Sequence, residues 1–218
     1  MNILLKKERE LVVDYGKKMA AKGLVTGTNG NISVLNRQEK LYAISPSGID
    51  YELIIPEDVV VMDLNDQVVD SARKPSSEYR LHSVFYNSRD DVGAVVHTHS
   101  PYATTIACLH RDLPAVHYTI AHAGMVVPCA PYATFGTKEL ADSACRVMGS
   151  GRAVLLANHG LLAVGEDLVK AFSVATEIEY LAGLYYRASS IGAPVIIPVQ
   201  EMETVVKKFK YYGQQQES

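Results

Sequence analysis

The spacing of apolar positions changes along this chain, and each change marks an element. Over residues 5–22, Leu11, Val12, Tyr15 and Met19 recur at helical spacing with Lys and Glu between them, which predicts an amphipathic helix stopping at Gly23. VTGTNGNISV then runs from a Gly/Asn/Thr loop into a strand. Residues 41–45 and 59–64 read as further strands, with the turn chemistry of SPSGIDYE between them. A helix is expected over 77–87, with Leu81, Val84 and Phe85 on one side. The apolar run Gly93-Ala94-Val95-Val96 follows as a buried strand reaching His97 and His99, which Pro101 stops because it cannot donate a ladder hydrogen bond. Helices are expected at about 102–109 and at 137–149, separated by a loop rich in Pro and Ala. AVLLANHGLLAVG reads as two strands joined by a turn at Asn158-His159-Gly160, before a long helix over 167–191 and a last one over 200–211.

This order shows no regular strand–helix alternation, so a doubly wound parallel sheet is not expected. The reading is an α/β chain with a central, mostly antiparallel sheet and helices on its faces. At 218 residues and 48% hydrophobic composition, one domain over residues 1–218 is long enough to bury a sizeable core.

The charge balance narrows the partners. A net charge of −3, without a block of like charges, gives no nucleic-acid surface. Charged residues follow closely on the apolar start of MNILLKKERELVV, so no secretory signal is expected. No apolar run approaches the roughly 18 residues of a membrane span. Cys108, Cys129 and Cys145 are scattered and odd in number, against both a disulfide framework and a cysteine-type zinc site. A reducing, cytoplasmic setting is the expectation.

Candidate chemistry begins at VVHTHS. Residues i and i+2 of a strand share a face, so His97 and His99 project together. Alone they fit a solvated strand end as well as a metal chelate. His159, in a tight turn between apolar strands, completes a set of three imidazoles, the pattern of a catalytic zinc site with an open position. Of the other histidines, His82 lies four residues after Glu78, His110 sits in a charged turn, and His117 and His122 flank Tyr118 closely.

Three segments carry small hydroxyl, amide and glycine residues. In Lys74-Pro75-Ser76-Ser77-Glu78, Ser76 or Ser77 is expected to cap the following helix, whose free N–H groups favour an anion. Gly27-Thr28-Asn29-Gly30-Asn31 tolerates positive φ and can form an anion nest. It is neither a P-loop nor GxGxxG. Ser45-Pro46-Ser47-Gly48 is the third. Together they suggest a phosphate pocket.

The set TGTNGNIS, ISPSGIDYE, KPSSEYRLH, VVHTHSPYA, PAVHY, CAPYATFGT and NHGLLA, in this order and spacing over about residues 5–213, resembles the class II aldolase/adducin family. The resemblance implies an α/β/α sandwich and a homotetramer with active sites at subunit interfaces. It implies Zn²⁺, one per subunit, on His97, His99 and His159, with Glu78 as catalytic acid/base and as a fourth ligand before substrate enters. Gly30, Asn31, Ser47, Gly48, Ser76 and Ser77 would hold the substrate phosphate, with Thr28 nearby. Tyr118 would come from a neighbouring subunit to serve the aldehyde end, and Phe135 and Tyr212 would shape the aldehyde pocket.

The implied reaction cleaves a 2-ketose 1-phosphate, such as L-fuculose 1-phosphate or a close 5- or 6-deoxyketose 1-phosphate, to dihydroxyacetone phosphate and an aldehyde such as L-lactaldehyde, as in fucose degradation. Glu78 would move a proton at the enediolate carbon and should then titrate closer to neutrality than a free glutamate. The same family includes methylthioribulose-1-phosphate dehydratases, L-ribulose-5-phosphate 4-epimerases and a non-enzymatic adducin head. The intact histidine set and Glu78 argue against the last.

Overall fold

A computed structural model describes residues 3–209. In chain order its elements are α1 (Lys6–Ala21), β1 (Asn31–Asn36), β2 (Leu41–Ile44), β3 (Val60–Asp63), β4 (Val68–Asp70), α2 (Arg80–Ser88), β5 (Ala94–Thr98), α3 (Pro101–Cys108), β6 (Cys129–Ala130), α4 (Lys138–Met148), β7 (Ala153–Leu156), β8 (Gly160–Gly165), α5 (Leu168–Ile191) and α6 (Val199–Phe209). The strands form one sheet in the order β4-β3-β2-β1-β5-β8-β7-β6. Every pairing is antiparallel except β6 with β7.

The central strands read as continuous apolar runs because both faces of the sheet are covered. Ala94, Val96, Leu161, Ala163, Ala153 and Leu155 pack with Val12 and Met19 of α1, Ile106 of α3, Phe172 and Ile178 of α5 and Met202 of α6. Their alternates Val95, Leu162, Val164, Val154 and Leu156 pack with Leu81 and Phe85 of α2 and Leu140 and Ala144 of α4. This period-two partition between two helix layers is the expected α/β/α sandwich around a mostly antiparallel sheet.

Three expectations need correction. The sequence reading does not foresee β4 and β6: at three and two residues they are too short to show an alternation. α2 begins at Arg80 and no serine caps it, because the Ser76 hydroxyl accepts the Glu78 N–H at 3.3 Å, closing a turn before the helix starts. β5 ends at Thr98, so His99 lies just past the strand, and Pro101 opens α3 instead of ending β5. At that helix start the Glu179 carboxylate accepts the N–H groups of Tyr102 and Ala103, each at 2.9 Å. This fixes the chain directly after His99 against α5.

Candidate active site

β5 and β8 pair with His97 opposite Leu162, which brings the turn before β8 alongside the end of β5. Asn158 makes that turn possible by adopting φ 52, a left-handed conformation that asparagine tolerates. His110, which the sequence places in an exposed charged turn, hydrogen-bonds through Nε2 to the Asn158 side chain and so braces the turn that carries His159. Gly160 follows, where a Cβ would come within 2.3 Å of the Thr98 carbonyl oxygen. Only glycine lets β8 approach β5 this closely. Gly30 is similar on the other side: at φ 74, its added Cβ would lie 2.7 Å from the His97 carbonyl oxygen.

The three imidazoles converge. His97 Nε2 lies 3.0 Å from His99 Nε2 and 3.2 Å from His159 Nε2. Glu78, in the turn before α2, completes the cluster, with Oε2 3.3 Å from His97 Nε2 and Oε1 3.3 Å from His159 Nε2. One ligand atom from each of the four lies within 4.8 Å of the others.

The donor set fits a metal ion. The Nδ1 of fully buried His97 sits 3.0 Å from the Leu161 carbonyl oxygen, which only accepts, so Nδ1 carries the proton and Nε2 turns a lone pair to the cluster. Burial pushes His99 down to about 4 and His159 down to about 3, favouring the neutral rings that metal ligation needs. Glu78 Oε1 is buried without a hydrogen-bond partner. Three lone-pair nitrogens and an orphaned carboxylate oxygen at these separations match a site for a divalent cation.

Burial raises the Glu78 pKa, while His97, His159 and the Asn31 hydrogen bond lower it. The two rings lower it only when protonated, so with the rings neutral the Asn31 hydrogen bond is what opposes burial.

The cluster opens onto a cleft of about 430 Å³. Thr28, Gly30, Asn31, Ser47, Gly48, Ser76, Ser77, Glu78, His99, Phe135 and His159 all line it, so the three polar segments do meet. Their meeting has a backbone cause: Ser47 N–H bonds to Lys74 O at 3.0 Å and Ser76 N–H to Ser45 O at 3.1 Å, tying two serine-bearing turns edge to edge. Asn29 and Pro46, from two of those segments, also line the cleft, as do Tyr132, Ala133 and Asn158, to which the sequence reading assigns no role. Tyr132 belongs to the CAPYATFGT stretch and Asn158 to NHG, so both sit inside recognised motifs without an assigned role.

Tyr118, which the resemblance assigns to a neighbouring subunit's site, does not line the cleft of its own chain. It is half-exposed, its ring 4.7 Å from that of His117 and 6.1 Å from that of Phe209. Tyr212 lies outside the described residues.

The sequence pattern described as "Class II Aldolase and Adducin N-terminal domain" matches residues 10–186. This chain belongs to the class II aldolase and adducin family. Among similar proteins is the 5-deoxy-D-ribulose 1-phosphate aldolase of Bacillus thuringiensis serovar kurstaki, 56% identical over 213 residues, covering 98% of this chain and 100% of that protein. The L-fuculose phosphate aldolase of Escherichia coli is 42% identical over 204 residues, covering 93% of this chain and 94% of that one. A solved structure of an L-fuculose 1-phosphate aldolase superposes with a TM-score of 0.93 at 48% identity over 95% of this chain and 98% of that one. Among the described residues, no helix is long and apolar enough to cross a membrane.

Proposed function

We propose that this chain is a zinc-dependent aldolase that cleaves a 5-deoxyketose 1-phosphate between C3 and C4, with 5-deoxy-D-ribulose 1-phosphate preferred over L-fuculose 1-phosphate. The observation that carries this reading is the convergence of Glu78 with His97, His99 and His159 in a cleft lined by hydroxyl and glycine residues. The 56% identity over nearly the whole chain supports the substrate preference. Cleavage of that ketose leaves dihydroxyacetone phosphate and acetaldehyde.

The residues divide the work. Among the described residues no lysine or arginine lines the cleft, so the phosphate is held by the hydroxyls of Thr28, Ser47, Ser76 and Ser77 and by the backbone N–H groups of Gly30 and Gly48. Holding that end fixes the reacting carbons against Glu78. His97, His99 and His159, with Glu78 before substrate enters, would hold zinc. Bound there, it supplies Lewis-acid stabilisation of the charge that develops on the ketose oxygens. Glu78 gives a proton to the three-carbon fragment in cleavage and takes it back in synthesis.

Tyr118 is half-exposed and does not line the cleft of its own chain, which supports its service to the C4 hydroxyl in a neighbouring copy of a homotetramer. Phe135, 65% exposed at the cleft, together with Tyr212, shapes the aldehyde side. A single cytoplasmic domain completes the proposal.

The test compares kcat/KM for the two ketose phosphates. Preference for 5-deoxy-D-ribulose 1-phosphate by about 10-fold or more is expected, the scale on which a small difference in substrate bulk is discriminated. A preference of that size for L-fuculose 1-phosphate would reverse the assignment.

A further inference from the structure

The Glu78 carboxylate is held from behind by a buried chain of side chains that no sequence motif announces. Asn31 Nδ2 donates to Glu78 Oε2 at 3.0 Å. Asn31 Oδ1 lies 2.5 Å from His82 Nε2. His82 Nδ1 lies 2.6 Å from Ser33 Oγ, and Ser33 Oγ lies 2.5 Å from the Tyr86 hydroxyl. Asn31 is 3% exposed, Ser33 and His82 0%, and Tyr86 3%.

The proton positions along this chain follow from its end. A carboxylate only accepts, so the Asn31 amide must point its N–H groups at Glu78 and its oxygen at His82. His82 Nε2 must then carry the ring proton. With the ring neutral, Nδ1 is a bare acceptor, so the Ser33 hydroxyl donates to it. Ser33 Oγ in turn accepts from Tyr86. Every donor points the same way, toward Glu78, an arrangement in which successive hydrogen bonds polarise one another. Burial keeps His82 neutral by pushing it down to about 3, so the alignment persists through the neutral range.

We propose that Asn31 and His82 are positioning residues, which hold Glu78 by Oε2 and leave Oε1 for the reacting centre. This rests on the reading of Glu78 as the acid/base. It adds to the reading of Asn31, which lines the cleft with the phosphate holders and also bonds through its amide to Glu78 and His82. The spacing has a structural cause. Asn31 and Ser33 alternate along β1, and both point at α2, where His82 and Tyr86 are four residues apart on one helix face.

The experiment measures kcat and KM separately for Asn31→Leu, His82→Phe and His82→Gln on the zinc-loaded enzyme with 5-deoxy-D-ribulose 1-phosphate. Asn31→Leu and His82→Phe are expected to lower kcat by about 10- to 100-fold, the range for groups that orient a metal-site ligand, with KM within about twofold. Their combination should cost little more than either alone, because both break one chain. His82→Gln, which introduces an amide able to donate to Asn31 and accept from Ser33, should keep kcat within a few-fold of the parent enzyme.

A rise in KM at unchanged kcat in Asn31→Leu would leave Asn31 with the phosphate site alone and overturn the proposal. Unchanged kcat in His82→Phe would overturn it as well. Should His82→Phe not fold, Ser33→Ala carries the same test, with a several-fold loss of kcat expected and no loss refuting the chain. Failure of the underlying reading is distinguishable, because Glu78→Gln would then itself keep normal turnover.

Discussion

Replacing Glu78 by glutamine is expected to lower kcat by about 10²- to 10⁴-fold, the contribution typical of a positioned general acid or base, while the protein keeps its fold and its metal. The change is nearly isosteric. The introduced amide carbonyl can still accept from Asn31 Nδ2, which lies 3.0 Å from Oε2 of the native carboxylate, so the turn before α2 has no reason to move. The three imidazoles remain to bind the ion. What disappears is a group able to take up and release a proton at Oε1, the oxygen that has no hydrogen-bond partner. The serine turns at 45–48 and 74–77 are untouched, so KM for the phosphorylated ketose should hold within a few-fold. Turnover within a few-fold of the parent enzyme would remove Glu78 from its role.

Loss of metal is the second large effect, expected for His97→Ala. His97 is the hub of the cluster: its Nε2 is within 3.3 Å of Glu78 and closer to both other imidazoles. Its Nδ1 bond to the Leu161 carbonyl also fixes the one tautomer that can ligate. After dialysis, bound zinc should fall from about one ion per chain to near zero, with activity falling in parallel. A cooperative thermal transition in the variant separates this from simple unfolding. Full zinc occupancy in folded His97→Ala would break the ligand assignment.

How far these features can be read in advance depends on the range of the interactions behind them. The central strands are legible because β5, β7 and β8 are apolar on both faces, and the amphipathic α1 because its period is regular. β4 and β6 are not, since three and two residues carry no period. His97, His99 and His159 can be nominated from local patterns, but their meeting depends on the β5–β8 register across 62 residues. Local logic misleads where a nearer partner competes: Ser76 looks like a helix cap, and instead its hydroxyl binds the Glu78 N–H. Asn31 looks like part of an anion loop and does line the cleft, but its amide also bonds to partners 47 and 51 residues away. His82 stands out at four residues from Glu78, but its real link to that carboxylate runs through Asn31, which no spacing reveals.

The central claim is that the Glu78 and histidine cluster makes this chain a metal-dependent ketose phosphate aldolase. Its most direct test is release of dihydroxyacetone phosphate from 5-deoxy-D-ribulose 1-phosphate by zinc-loaded protein, by protein stripped with a chelator, and by stripped protein given zinc again. The expected result is release by the first, none by the second and recovery in the third. Undiminished release by protein shown to be free of metal, or no release by protein with zinc bound, would contradict it.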